Sequence, residues 1–129
     1  MARGLVRDGR PVLDDPVVRD RLAAFAIEET ANRFNAKRMR VKGLVADRPL
    51  ALPLIAKLTG SELGQRLADY ACELQGWAGT LYVGDEHAVE DAAWQRANMN
   101  SYAMTIAGGT SEVLRNVVGE KVLGLPKTR

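Results

Sequence analysis

The stretch Ile106-Ala-Gly-Gly-Thr-Ser-Glu-Val-Leu-Arg-Asn-Val-Val-Gly-Glu-Lys-Val-Leu-Gly-Leu-Pro126 carries more structural information than any other part of the chain. The pair Gly108-Gly109 breaks a helix arriving from upstream, because glycine enters the left-handed backbone region at little steric cost. Thr110 or Ser111 then caps a new helix. Glu112 falls in its first turn, where a carboxylate suits the positive end of the helix dipole. Leu114, Val117, Val118, Val122 and Leu123 form its apolar face. Gly124 fits the left-handed position after the last turn, Leu125 the apolar contact beyond it, and Pro126 forbids continuation.

The same signals recur upstream. Asp14-Asp15-Pro16 is a helix start with an acidic cap and a proline at the first helical position. Val18, Leu22, Phe25, Ala26 and Glu29 follow at three-to-four spacing, and the helix is expected to run through Asn32 to Lys42 and stop at Gly43. A second long helix is predicted from about Pro53, with Ile55, Leu58, Leu63, Leu67, Tyr70, Ala71 and Leu74 as its stripe. Ala56 and Gly60 let a neighbouring helix approach closely, and Gly76-Trp77-Ala78-Gly79 ends the segment. Asp85 is expected to cap a third helix carrying Ala88, Val89, Ala92, Ala93 and Trp94, then Met99, Tyr102 and Met104. Four helices, short connections and no alternating strand pattern predict an all-α, antiparallel, up-and-down four-helix bundle. Residues 1–13 read as a lead-in arm, 14–126 as the bundle domain and 127–129 as a tail.

With 129 residues the chain is long enough for one domain with its own core. The net charge of +2 is small, and Lys37, Arg38, Arg40 and Lys42 form its one local basic run. That run reads as a solvated helix face near a C-terminus, where cations suit the dipole. Nucleic-acid binding is the lesser alternative, since no aromatic or glycine-rich pattern accompanies it. A single cysteine, Cys72, leaves no internal disulfide and no multi-cysteine metal site within one chain. No apolar run is long enough to span a membrane, and no secretory signal is visible, so a reducing, cytoplasmic setting is the default expectation. The apolar stripes exceed what three helices bury, so oligomerisation is expected.

Most chemically capable residues read as structural. His87 follows Asp85 and Glu86 at a helix start and is expected to be exposed. Cys72 has no basic neighbour to lower its pKa and reads as a small packed residue. Trp77 and Trp94 are expected in the core or at an interface. No glutamate has a context that separates it from a surface charge, and no metal or nucleotide motif is present. The segment Ala107 to Glu112 keeps two readings. It is either a helix–helix turn with an ordinary cap, or a place where free N–H groups and the Thr110 and Ser111 hydroxyls meet a cofactor. Glu112 offsets the dipole, which favours a neutral polar portion of that cofactor over a bare phosphate.

This segment closely resembles the C-terminal signature of the acyl-CoA dehydrogenases, flavoenzymes that desaturate acyl-CoA thioesters. An aliphatic residue, a small or acidic position, Gly-Gly/Thr-Ser-Glu, an aliphatic pair, Arg-Asn and Glu-Lys-Val-Leu-Gly-Leu-Pro occur in that order. Weaker likeness runs from about Pro16 through Ile55-Ala-Lys-Leu-Thr-Gly-Ser-Glu-Leu63 and the loop Glu73-Leu-Gln-Gly-Trp-Ala-Gly79. The resemblance implies a C-terminal four-helix bundle whose FAD lies between it, a β-domain and a neighbouring subunit. By position it places Thr110 and Glu112 at the adenosine end of the flavin cofactor, beside Gly109. It sets Gly76 and Gly79 near the cofactor of an adjoining subunit. Glu73 replaces the family's glutamine in that loop, and Trp77 its second glycine.

The resemblance further implies an acyl-CoA substrate, an electron-transfer partner and a homo- or hetero-oligomer with a dehydrogenase-like chain. One subgroup carries its catalytic glutamate where this chain has Gly108, so no catalytic base is expected from that position. The Gly108 N–H remains a candidate donor to the thioester oxygen. The family's N-terminal helical domain, β-domain and first bundle helix have no counterpart here. The expectation is therefore the C-terminal bundle part of such a dehydrogenase, incomplete or inactive alone. The alternative is a non-catalytic helical interaction module derived from that fold.

Overall fold

In a computed structural model of the chain, residues 1–45 and 47–127 are described; residues 128 and 129 of the predicted tail lie outside them. Helix α1 (Pro16–Arg38) starts where the Asp-Pro signal places it. The Val17 N–H donates to Asp15 Oδ1 at 2.8 Å, and Pro16 opens the first turn. It ends at Arg38, short of the expected stop at Gly43, which lies inside the short helix α2 (Lys42–Val45). Continuing α1 would set Lys37 against Arg40 and Arg38 against Lys42 at three- and four-residue spacings, where like charges repel. The chain instead tightens, with N–H donation from Arg40 to Lys37 O and from Val41 to Arg38 O.

Helix α3 (Ala51–Leu74) begins two residues before Pro53, which sits in its first turn, where no backbone donor is required. Its stripe is broadly as predicted: Leu63, Ala71 and Leu74 are buried, as are Leu52 and Ala68. α3 is the centre of the molecule, with α1, α4 (Ala93–Ile106) and α5 (Ser111–Val117) all packed against it. Against α1 it places a graded set of contacts. Phe25 is buried with its ring 5.7 Å from Tyr70, and Arg21 lies over both rings. Further along, the Arg66 guanidinium grips Glu28 with both nitrogens, and the Thr59 hydroxyl donates to Asn32 Oδ1 at 2.6 Å. Ala26 and Glu29, counted with the apolar positions of α1, are exposed. The stripe is thus narrower than the spacing suggested.

The third helix departs most from expectation. Asp85 Oδ1 accepts the His87 N–H at 2.9 Å, but this closes a local turn and not a helix. Glu90, Asp91 and Ala92 all have left-handed backbone, at φ 52°, 51° and 55°, so α4 starts only at Ala93. Left-handed non-glycine residues cost about 1–2 kcal/mol each. Here the conformation buries Ala92 completely and lets the Trp94 indole N–H donate to Glu90. Met99, Tyr102 and Met104, which lie on α4 as expected, are exposed. α4 turns Gln95 and Ser101 inward instead, because it meets α3 through small and polar side chains.

Residues 1–13 hold a small hairpin. Val6–Arg7 pairs antiparallel with Arg10–Pro11 around Asp8-Gly9, both at positive φ, a turn chemistry that suits two-residue hairpins. Val12 is buried, and the Arg7 guanidinium donates to Leu74 O, so this segment leans on the end of α3. After α5 the helix widens into a π turn, Val118–Val122. The extra residue rotates the face that follows, which leaves Leu123 exposed and not on the apolar side. Gly124 takes the left-handed stop at φ 70°, as read from the sequence. No helix among the described residues is long and apolar enough to cross a membrane.

Two measurements test this packing. Phe25→Ala should lower unfolding free energy by about 3–5 kcal/mol in urea denaturation. The Arg66 guanidinium, chiefly through its hydrogen bonds, holds the Glu28 carboxyl below the usual carboxylate range. A lowered folded-state pKa stabilises above the unfolded value of about 4.3 and loses that contribution as pH falls through the folded value. The gap in urea midpoint between the parent and Glu28→Gln should therefore be present at neutral pH and vanish below that window.

Candidate functional site

α4 ends with the Ala107 N–H bonded to Ala103 O at 2.8 Å, and the chain reverses through Gly108 (φ 70°) and Gly109 (φ 103°). Thr110, rather than Ser111, is the cap: its Oγ1 accepts the Val113 N–H at 3.3 Å and its carbonyl accepts the Leu114 N–H at 2.9 Å. Ser111 is the first helical residue and is buried. Glu112 is exposed; its own backbone N–H, and next the Thr110 hydroxyl, hold its carboxyl below the usual range. Thr110 and Glu112 thus support each other as a cap. Among the described residues, the N–H groups of Gly108, Gly109 and Thr110 meet no acceptor.

Two side chains of α3 reach this turn. Lys57 Nζ donates to Gly109 O at 2.8 Å and to Thr105 O at 3.4 Å. One turn further on, Glu62 pairs with Arg115 of α5 at 2.6 Å. Lys57 stands within the Ile55-Ala-Lys-Leu-Thr-Gly motif, and nothing local signals its contact with Gly109. Beside the turn lies a cavity of about 300 Å³ lined by Glu62, Gln65, Thr105, Ile106 and the residues 110–112. A larger apolar groove of about 580 Å³ runs between α3 and α4 past Gly60, Gly64, Trp94 and Met104.

Gly76 and Gly79 are elsewhere. They lie in a 3-10 turn, Gly76–Thr80, at the opposite end of α3 from Lys57. At 1.5 Å per helical residue that is about 25 Å away, so one chain does not bring them together with Thr110 and Glu112. Gly79 has a reason of its own: an added Cβ would fall 2.3 Å from the Cys72 carbonyl oxygen. Trp77 is 71% exposed, so of its two expected places, core or interface, the core is excluded. The turn points it outward, edge-on to the exposed His87 ring. Trp94 is half-buried, and Glu73 is exposed. Burial pushes the Cys72 thiol up, with Asp69 adding to it, as suits a packed residue and not a nucleophile.

Gln75 and Gln95 escaped sequence reading. Both are buried; Gln95 Nε2 donates to Gln75 Oε1 and to Ala78 O, each at 3.0 Å, tying α4 to the loop. A polar residue at an otherwise inward position of a helix was the available signal. Among the described residues no group of acidic, histidine or cysteine side chains could hold a metal ion.

The family model for the acyl-CoA dehydrogenase C-terminal domain matches residues 1–123. The chain belongs to the acyl-CoA dehydrogenase family, through that domain. It is 34% identical over 116 residues to the acyl-CoA dehydrogenase IpdE1 of Mycolicibacterium smegmatis, covering 88% of this chain and 27% of that protein. Acyl-CoA dehydrogenase FadE34 of Mycobacterium tuberculosis is 30% identical over 113 residues, covering 88% of this chain and 15% of its own length. Among solved structures, the Tcur3481-Tcur3483 steroid ACAD matches with a TM-score of 0.79 at 26% identity, over 91% of this chain and 30% of that one. The ChsE4-ChsE5 complex from Mycobacterium tuberculosis shares the fold, with a TM-score of 0.81 at 24% identity over 99% of this chain and 33% of that one. The chain spans about a quarter of the length of IpdE1.

Two substitutions check the local geometry. Gly79→Ala should destabilise by about 1–3 kcal/mol through overpacking against Cys72. Thr110→Val should cost about 1 kcal/mol through loss of the cap, with Thr110→Ser close to the parent. Thermal and urea unfolding read both.

Proposed function

We propose that this chain is the flavin-facing bundle of an acyl-CoA dehydrogenase, acting in α,β-desaturation of an acyl-CoA thioester together with a second dehydrogenase portion. The observation that carries this reading is the turn at 108–110, where three successive N–H groups meet no acceptor among the described residues and Thr110 lines a cavity of mixed polar and apolar character. At about 300 Å³ the cavity is at the small end of ligand pockets, so it fits one polar end of FAD and not the whole. The Thr110 N–H and the Glu112 carboxylate would meet that end, Glu112 as acceptor for hydroxyl groups. The carboxylate offsets the helix dipole, which suits a neutral portion better than a phosphate.

FAD, when bound, supplies the hydride acceptor. This chain contributes position and polarity. Gly108 carries no proton acceptor, so the base lies on another helix or another chain. The Gly108 N–H would donate to the thioester oxygen, where negative charge develops as the α-proton leaves. Gly76 and Gly79, remote from Thr110, fit a role toward the cofactor of an adjoining subunit. Its likeness to a steroid ACAD and to a two-component complex favours a hetero-oligomer and makes a steroid-derived thioester the first substrate class to try.

A second reading, a non-catalytic interaction module, is favoured by Gly108 and by Trp77 at a loop glycine. Purification alone and with neighbouring gene products separates the two. A visible flavin band and thioester-dependent dye reduction in a combination support the dehydrogenase; neither signal in any combination supports the module. In an active assembly, Gly108→Pro should lower turnover by about 10²–10³ at matched flavin content. Full activity in that variant would remove Gly108 from the mechanism.

A further inference from the structure

We infer that the connection between α1 and α3 is a docking surface for an anionic phospholipid membrane. From Arg33 to Arg48 the chain carries six cations, Arg33, Lys37, Arg38, Arg40, Lys42 and Arg48, against one carboxylate, Asp47. Arg33 is paired with Glu29 at 3.7 Å, but the other five enter no ion pair among the described residues. The same connection leaves large apolar side chains in water: Phe34, Val41, Leu44 and Leu50 are each half exposed or more. One end of the molecule thus carries both unpaired positive charge and uncovered apolar carbon.

The backbone keeps the two sets close. α1 ends at Arg38 and α3 begins at Ala51, and between them the Val41 N–H donates to Arg38 O at 3.0 Å and the Leu44 N–H to Val41 O at 2.9 Å. Lys37 Nζ lies 5.3 Å from the centroid of the Phe34 ring, so cation and apolar surface meet within the patch. An anionic bilayer interface satisfies both features at once. It takes apolar side chains at the headgroup boundary and attracts cations, whose aliphatic stems lie along the apolar layer. A nucleic acid rewards the cations, but offers no apolar phase to Val41, Leu44 and Leu50. An acidic protein would need a face shaped to four separate apolar side chains, whereas a fluid bilayer takes them as they stand. The surface needs neither flavin nor thioester, so it stands apart from the proposed function.

Vesicle flotation with the full chain tests this. Vesicles of phosphatidylcholine with phosphatidylglycerol should bind it at least about tenfold more tightly than phosphatidylcholine alone, and added salt should weaken the contact. Arg38→Gln with Arg40→Gln should weaken binding to the anionic vesicles about twenty-five-fold, from about 1 kcal/mol per cation. The pair Arg3→Gln with Arg10→Gln, ahead of the opposite end of α1, should change it less than about twofold. Leu44→Ser, at an exposed site, should weaken it about tenfold at an unchanged unfolding midpoint. Four outcomes each overturn the proposal: no binding to anionic vesicles, equal binding to neutral ones, an equal loss from the Arg3 and Arg10 pair, or no effect of Leu44→Ser. Duplex DNA or polyglutamate bound more tightly than the vesicles would also overturn it, and would assign the patch to a nucleic acid or an acidic protein.

Discussion

Close packing onto α3 is the constraint on which the rest of the structure depends. α3 receives α1 along an aromatic and ion-paired edge, α4 along a small and polar one, and α5 across two polar clamps. Each partner meets a different chemistry on a different side of one helix. That is why α4 can leave Met99, Tyr102 and Met104 outside while burying Gln95 and Ser101. A helix meeting small residues gains contact from proximity and not from the bulk of its own side chains.

The candidate site follows from the same arrangement. Thr110 and Glu112 cap each other, while the N–H groups of Gly108, Gly109 and Thr110 meet no acceptor among the described residues. Lys57 and Glu62 come from consecutive turns of α3 and hold the two sides of that turn. A site of this type depends on the direction of peptide planes, so helix placement decides its function as much as residue identity does. Gly76 and Gly79 sit at the far end of α3, where the Gln75–Gln95 contact and the Cys72 carbonyl shape the loop.

Local signals were legible wherever a residue acts on its immediate neighbours. The Asp15-Pro16 start and the Gly124 stop work within a few residues and are where the sequence places them, and of the two caps it offers, Thr110 and Ser111, the structure uses Thr110. The signals misread were those that tertiary contacts override. Asp85 caps a turn, but burial of Ala92 bends the backbone and delays α4 to Ala93. The apolar face of the last helix reaches Val122, but a π turn rotates Leu123 outward. The Asp8-Gly9 hairpin was a local signal in plain view, hidden only by the brevity of its strands.

By itself the sequence determined helical class, most of the helix starts and stops, and membership of the acyl-CoA dehydrogenase family through its terminal motif. These follow from capping, periodicity and glycine chemistry, which act over one or two helical turns. Only the tertiary structure decided that Lys57 meets Gly109 across 52 residues of chain, that Glu62 pairs with Arg115, and that Trp77 stands outside the core. Those facts depend on how whole helices are placed on α3, and no short-range spacing encodes that.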